Sequence, residues 1–116
     1  MAPYENAALR FKALAHPVRL QILDMLRTDD EVCVCHMEAA FGKRQAYISQ
    51  QLMVLRDAGL VESRRDGLKV FYRLADDPTR DLLAAALGPA NESGPATFAG
   101  CPCPHCAAAA EASSTH

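Results

Sequence analysis

The spacing of apolar residues changes at Gly59, and this change restricts the chain more than any other feature. Before it, apolar residues recur at helical intervals: Ile48, Leu52 and Leu55 stand at i, i+4 and i+7. After it, residues 60–65 and 69–74 read as two short strands around Asp66-Gly67. Asp-Gly between such runs is a strong hairpin signal.

The elements on either side follow from local chemistry. Residues 5–15 read as a first helix, with Tyr4, Ala8, Phe11 and Ala15 at helical spacing and Leu14 beside Phe11. His16-Pro17 ends it, because proline disfavours helix in the residue before it, and Pro17 suits the first position of the next helix. That second helix runs to Arg27 with Val18, Ile22 and Met25 on one side, and Thr28-Asp29-Asp30 breaks it. A short helix over residues 35–41 is closed by Gly42, where a left-handed residue costs least. A fourth helix spans residues 44–58. Asp76-Asp77-Pro78 opens a last helix over residues 79–87, with acids where the helix dipole favours them. Its Leu82, Leu83, Ala86 and Leu87 form an apolar face with little core left to cover, which points to a dimer contact. Four helices, a hairpin and a helix make a mainly α chain with the α-α-α-α-β-β-α order of a winged helix-turn-helix, expected as a homodimer.

From Gly88 the composition shifts to Pro89, Asn91, Ser93, Gly94 and Pro95, then Cys101-Pro102-Cys103-Pro104-His105-Cys106. The reading is a domain over 1–87 that binds DNA and dimerises, followed by a flexible cysteine-rich tail over 88–116. The chain has no run of ~18 apolar residues and no basic-then-apolar leader, so it is expected to be cytoplasmic, with no membrane partner. In a reducing compartment clustered cysteines are metal ligands or redox groups more often than structural disulfides.

The total charge is −2, but residues 43–73 carry seven basic and three acidic side chains, a local +4 that leaves −6 elsewhere. A basic stripe on an acidic body is the footprint of a surface that reads a nucleic-acid groove. No Cys-x-x-Cys stands at a strand–helix junction and no acid–base pair in a plausible pocket, so neither an enzyme nor a small-molecule substrate is expected.

The chain resembles the ArsR/SmtB family of metal- and metalloid-responsive repressors over about residues 7 to 87. The resemblance is carried by Leu14-Ala15-His16-Pro17-Val18-Arg19-Leu20-Gln21-Ile22-Leu23, by Glu31-Val32-Cys33-Val34-Cys35, by Ile48-Ser49-Gln50-Gln51-Leu52, and by Leu55-Arg56-Asp57-Ala58-Gly59-Leu60-Val61. It implies a dimer that holds operator DNA when empty and leaves it when its ligand binds.

For DNA, Gln45, Ser49 and Gln50 have the short hydrogen-bonding side chains that a helix presents to the major groove. Tyr47 offers a ring to a thymine methyl or a hydroxyl to a phosphate. Lys43 and Arg44 would meet the phosphate backbone, and Arg64, Arg65 and Lys69 flank the tip of the wing. Lys43 and Ala46 depart from the Ser and Pro often seen there in the family, so sequence preference does not carry over.

For the ligand, Cys33 and Cys35, at i and i+2 of an extended lead-in, project to one side and resemble the family's ligand box. Soft thiolates select soft ions: As(III) or Sb(III), alternatively Cd(II), Pb(II) or Zn(II). The family's arsenic version has a third cysteine three residues after the second; here Glu38 stands there. The missing thiol is then expected from Cys101, Cys103 or Cys106, with His36 expected solvated or behind the ligands and His105 as a substitute donor. The family's alternative site on the last helix needs histidine, and residues 76–87 have none. A redox or persulfide response of the same cysteines is the rival reading.

Overall fold

The computed structural model describes residues 1–90; the tail cysteines and His105 lie outside the described residues. Element order is α1 (Ala2–Leu14), α2 (Pro17–Asp29), β1 (Glu31–Cys33), α3 (Val34–Phe41), α4 (Gln45–Asp57), β2 (Val61–Asp66), β3 (Lys69–Leu74) and α5 (Asp77–Leu87). It is a winged helix-turn-helix with one strand more than the sequence pattern predicts.

That strand is β1. It pairs antiparallel with β3 through Glu31↔Arg73, Val32↔Tyr72 and Cys33↔Phe71, giving a sheet of order β1-β3-β2. The expected extended lead-in is thus a strand only as far as Cys33, and Cys35 already belongs to the first turn of α3. The hairpin register also differs by a residue from the expected turn. Asp66 pairs with Lys69, so the loop is Gly67-Leu68 with Gly67 at φ 62°, the type II′ pattern with glycine first.

Each helix starts where its cap dictates. The imidazole Nδ1 of His16 accepts the Val18 amide at 3.2 Å and caps α2. Asp76 caps α5: one carboxylate oxygen accepts the Thr79 amide at 3.0 Å and the Thr79 hydroxyl at 2.7 Å. Gly42 closes α3 in the left-handed conformation and sets the turn into α4.

The core gathers Ile22, Leu23 and Leu26 of α2, Met37 of α3, Ile48, Leu52 and Leu55 of α4, and Val32, Leu60, Val61 and Leu74 around the sheet. Leu83 of α5 joins it, while Leu87 stays exposed. The predicted stripe on α1 does not face this core. Tyr4 and Phe11 are 74% and 60% exposed, and Ala13 is the residue that α1 buries. Arg19 secures α1 instead: its Nε donates to the Ala13 carbonyl at 2.6 Å and its Nη1 to Gln51 Oε1 of α4 at 3.1 Å.

Candidate nucleic-acid interface and thiol site

The period of α4 separates its two faces. Ile48, Leu52 and Leu55 are fully buried, which turns Gln45, Ala46 and Gln50 to solvent at the N-terminal half of the helix. Ser49 is half-buried at the edge of that face. Lys43 and Arg44 are exposed in the turn before it. Tyr47 is shared between roles: its ring packs against the core, and the Lys43 ammonium lies 5.8 Å from the ring centroid.

The wing orients its cations by strand alternation. Adjacent residues of β2 point to opposite faces of the sheet, so Arg64 and Arg65 diverge. Arg64 lies across the outer face. Its guanidinium is 4.9 Å from the Phe71 ring centroid, and its Nε donates to Glu31 Oε2 at 3.2 Å. The sequence reading missed this ion pair, because it depends on β1 lying beside β3. A second pair, Arg73 to Glu62 at 3.1 Å, lies in the next row. The hydrogen bond from Arg64, then the charges of Arg64 and Arg73, hold the Glu31 carboxyl below its ordinary range against a small opposing effect of burial. Arg65 and Lys69 make no ion pair among the described residues.

Cys33 ends β1 and caps α3, its Sγ accepting the His36 amide at 3.4 Å. It is 2% exposed, whereas Cys35 is half-buried. Their Cα atoms are 5.4 Å apart and the two sulfurs are paired as a disulfide. His36 is buried at 3% exposure, so the expectation that it is solvated fails; the first turn of α3 turns it inward beside Met37.

Cys33 and Cys35 share a cavity of about 280 Å³ with Val34, Glu38, Gln45, Leu68, Lys69 and Val70. The thiols therefore adjoin both the start of α4 and the wing. Among the described residues no three or more His, Cys, Asp or Glu side chains are grouped to hold an ion. The two sulfurs are part of a soft-ion donor set, and Glu38 offers a hard oxygen that suits As(III) poorly.

The architecture and sequence match known regulators. Residues 16–63 match the model of the bacterial regulatory protein, arsR family. An uncharacterised HTH-type transcriptional regulator of Methanocaldococcus jannaschii is 39% identical over 83 residues, 72% of this chain and 93% of that protein. The biofilm growth-associated repressor of Agrobacterium fabrum is 45% identical over 80 residues, 69% of this chain and 68% of that protein. The homodimeric winged helix-turn-helix DNA-binding domain Mb0332 of Mycobacterium bovis, a possible ArsR-family regulator, superposes with a TM-score of 0.69 at 38% identity, over 73% of this chain and 78% of that one. These folds are those of DNA-binding regulators rather than enzymes, and no helix among the described residues is long and apolar enough to cross a membrane. The chain belongs to the ArsR family of winged helix-turn-helix transcriptional regulators, among whose repressors its relatives lie.

Proposed function

We propose that this regulator is a homodimeric repressor that holds operator DNA through α4 and the wing and releases it on binding As(III) or Sb(III). The ligands are Cys33, Cys35 and one thiol from Cys101, Cys103 or Cys106. The observation that carries the reading is the shared cavity: the cysteine pair opens onto Gln45 and Lys69, two of the side chains proposed to meet DNA. A ligand held by the cysteines therefore acts on the DNA-facing surface at first hand.

The donor chemistry supports a soft guest. Two adjacent sulfurs supply two corners of the three-thiolate pyramid of As(III), and a tail thiol supplies the third. Cd(II), Pb(II) or Zn(II) would draw further donors from the tail, four in all for Zn(II). Cys33 caps α3, and α3 packs against α4, so tension on Cys33 is transmitted to the recognition helix. Release requires the ligand to favour the unbound form by a coupling energy, commonly ~1–3 kcal/mol. The pairing of the two sulfurs favours a second reading, a thiol redox sensor on the same cysteines.

The homodimer is supported by the outward Tyr4 and Phe11 of α1 and Leu87 of α5, and by the dimeric state of the Mycobacterium bovis relative. The test is release of upstream DNA by the reduced protein under arsenite, antimonite, cadmium, lead, zinc and peroxide. Cys33→Ser is expected to keep DNA affinity within about twofold and to lose arsenite release. Release that persists in that variant removes Cys33 from the sensor.

A further inference from the structure

The Cys33–Cys35 pair is asymmetric. Cys33 is buried, and its sulfur faces the amide of His36 at the N-terminus of α3. Cys35 is half-buried, in the first turn of α3. The adjoining space of about 280 Å³ is far more than a bare ion needs. It lies at the lower edge of the roughly 300–1,000 Å³ typical of small-molecule sites. Its walls combine apolar Val34, Leu68 and Val70 with opposite charges on Glu38 and Lys69. A small thiol carrying both an ammonium and a carboxylate matches those walls, one charge for each.

We propose that the oxidised Cys33–Cys35 pair is a thiol–disulfide exchange site for a small zwitterionic thiol, with Cys35 as the sulfur that takes it. The thiolate of the small molecule attacks Cys35 Sγ and forms a new S–S bond. The Cys33–Cys35 bond breaks, and its electron pair leaves on Cys33 Sγ. One disulfide replaces another, so no external oxidant or reductant enters the step. The His36 amide and the positive end of the α3 dipole face the departing sulfur. Attack by Cys33 on the mixed disulfide reverses the step and expels the small thiolate, so the adduct follows the thiol concentration. The adduct occupies the space between Gln45 and Lys69, which makes it a competitor of DNA. This site rests on the sulfur pairing and the cavity, and it stands whether or not arsenite releases the operator.

The test uses the full-length chain with Cys101, Cys103 and Cys106 changed to Ser, oxidised and mapped for the 33–35 bond. The protein is incubated with cysteine (zwitterion), 2-mercaptoethylamine (cation) or 3-mercaptopropionate (anion), quenched in acid and peptide-mapped by mass spectrometry. The expected result is a mixed disulfide on Cys35, about tenfold over Cys33, with cysteine giving severalfold more than either singly charged thiol. Cys33→Ser treated with cystine is expected to trap the same adduct on Cys35, since no resolving thiol remains. Adducts shared equally by the two positions, yields matching those of the urea-unfolded chain, indifference to charge, or failure of the 33–35 bond to form would each overturn the proposal. The three-probe comparison needs no variant of the cavity, so a misfolded mutant cannot obscure it.

Discussion

Single side chains hold the DNA-facing elements in place, and several do so in ways that pattern alone does not announce. Asp76 was legible as an acid near a helix start, but its bonds to the amide and hydroxyl of Thr79 make it the cap of α5. Those bonds, hydroxyl first, together with Arg10, hold the Asp76 carboxyl below its ordinary range. The contribution is therefore complete above the unfolded value near ~3.9 and is lost as pH falls through the lower folded value. Asp76→Ala is expected to cost about 0.5–2 kcal/mol at neutral pH and to flatten the acid limb of the stability curve, both measured by urea unfolding. A variant whose acid limb matches the parent excludes the cap as its origin. Arg19 gave no sequence signal beyond the family resemblance, since its partners lie on two other helices. Arg19→Ala is expected to destabilise the fold by about 1.5–3 kcal/mol, as loss of hydrogen bonds from a charged donor does. Thermal unfolding at unchanged midpoint would contradict that.

At the scale of elements, periodicity identified all five helices and the hairpin, because each buries a run long enough to leave a pattern. It did not identify β1. Three residues carry too little alternation, and the strand exists only through its pairing with β3. The same gap hid the Glu31–Arg64 pair and made three wing cations look equivalent. They are not: Arg64 is tied to β1, whereas Arg65 points the other way. Arg65→Ala is expected to weaken binding to all sequences and lower the salt slope by about one unit, and Arg64→Ala by less. Gln50→Ala, on the exposed face of α4, is expected to cost about 1–3 kcal/mol on operator and little on random DNA. Fluorescence anisotropy across a salt series separates these cases. Equal slopes for the two arginine variants would refute the division of labour in the wing.

For the whole molecule, the apolar residues of α1 were found by their spacing and assigned to the wrong surface. Helical period reports that a face is buried somewhere, not against what, and a partner subunit is a surface the chain does not contain. Large exposed side chains on α1 and α5 are what an obligate pair would cover. Phe11→Glu with Leu87→Glu is expected to weaken the dimer at least about tenfold in sedimentation equilibrium, with far-UV circular dichroism unchanged. Retention of the parent dimer constant would place the interface elsewhere. The tail cysteines were conspicuous in composition, yet they lie outside the described residues, so their part in the site is a matter of chemistry alone.

The cavity that Cys35 shares with Gln45 and Lys69 has a consequence for dose response. If occupancy of the cysteines weakens DNA binding by some factor, thermodynamic reciprocity makes DNA weaken occupancy by the same factor. A repressor seated on its operator is then a poorer scavenger of the inducer than its free counterpart. Unbound copies fill first and act as a buffer, and the threshold for derepression rises with the ratio of protein to operator.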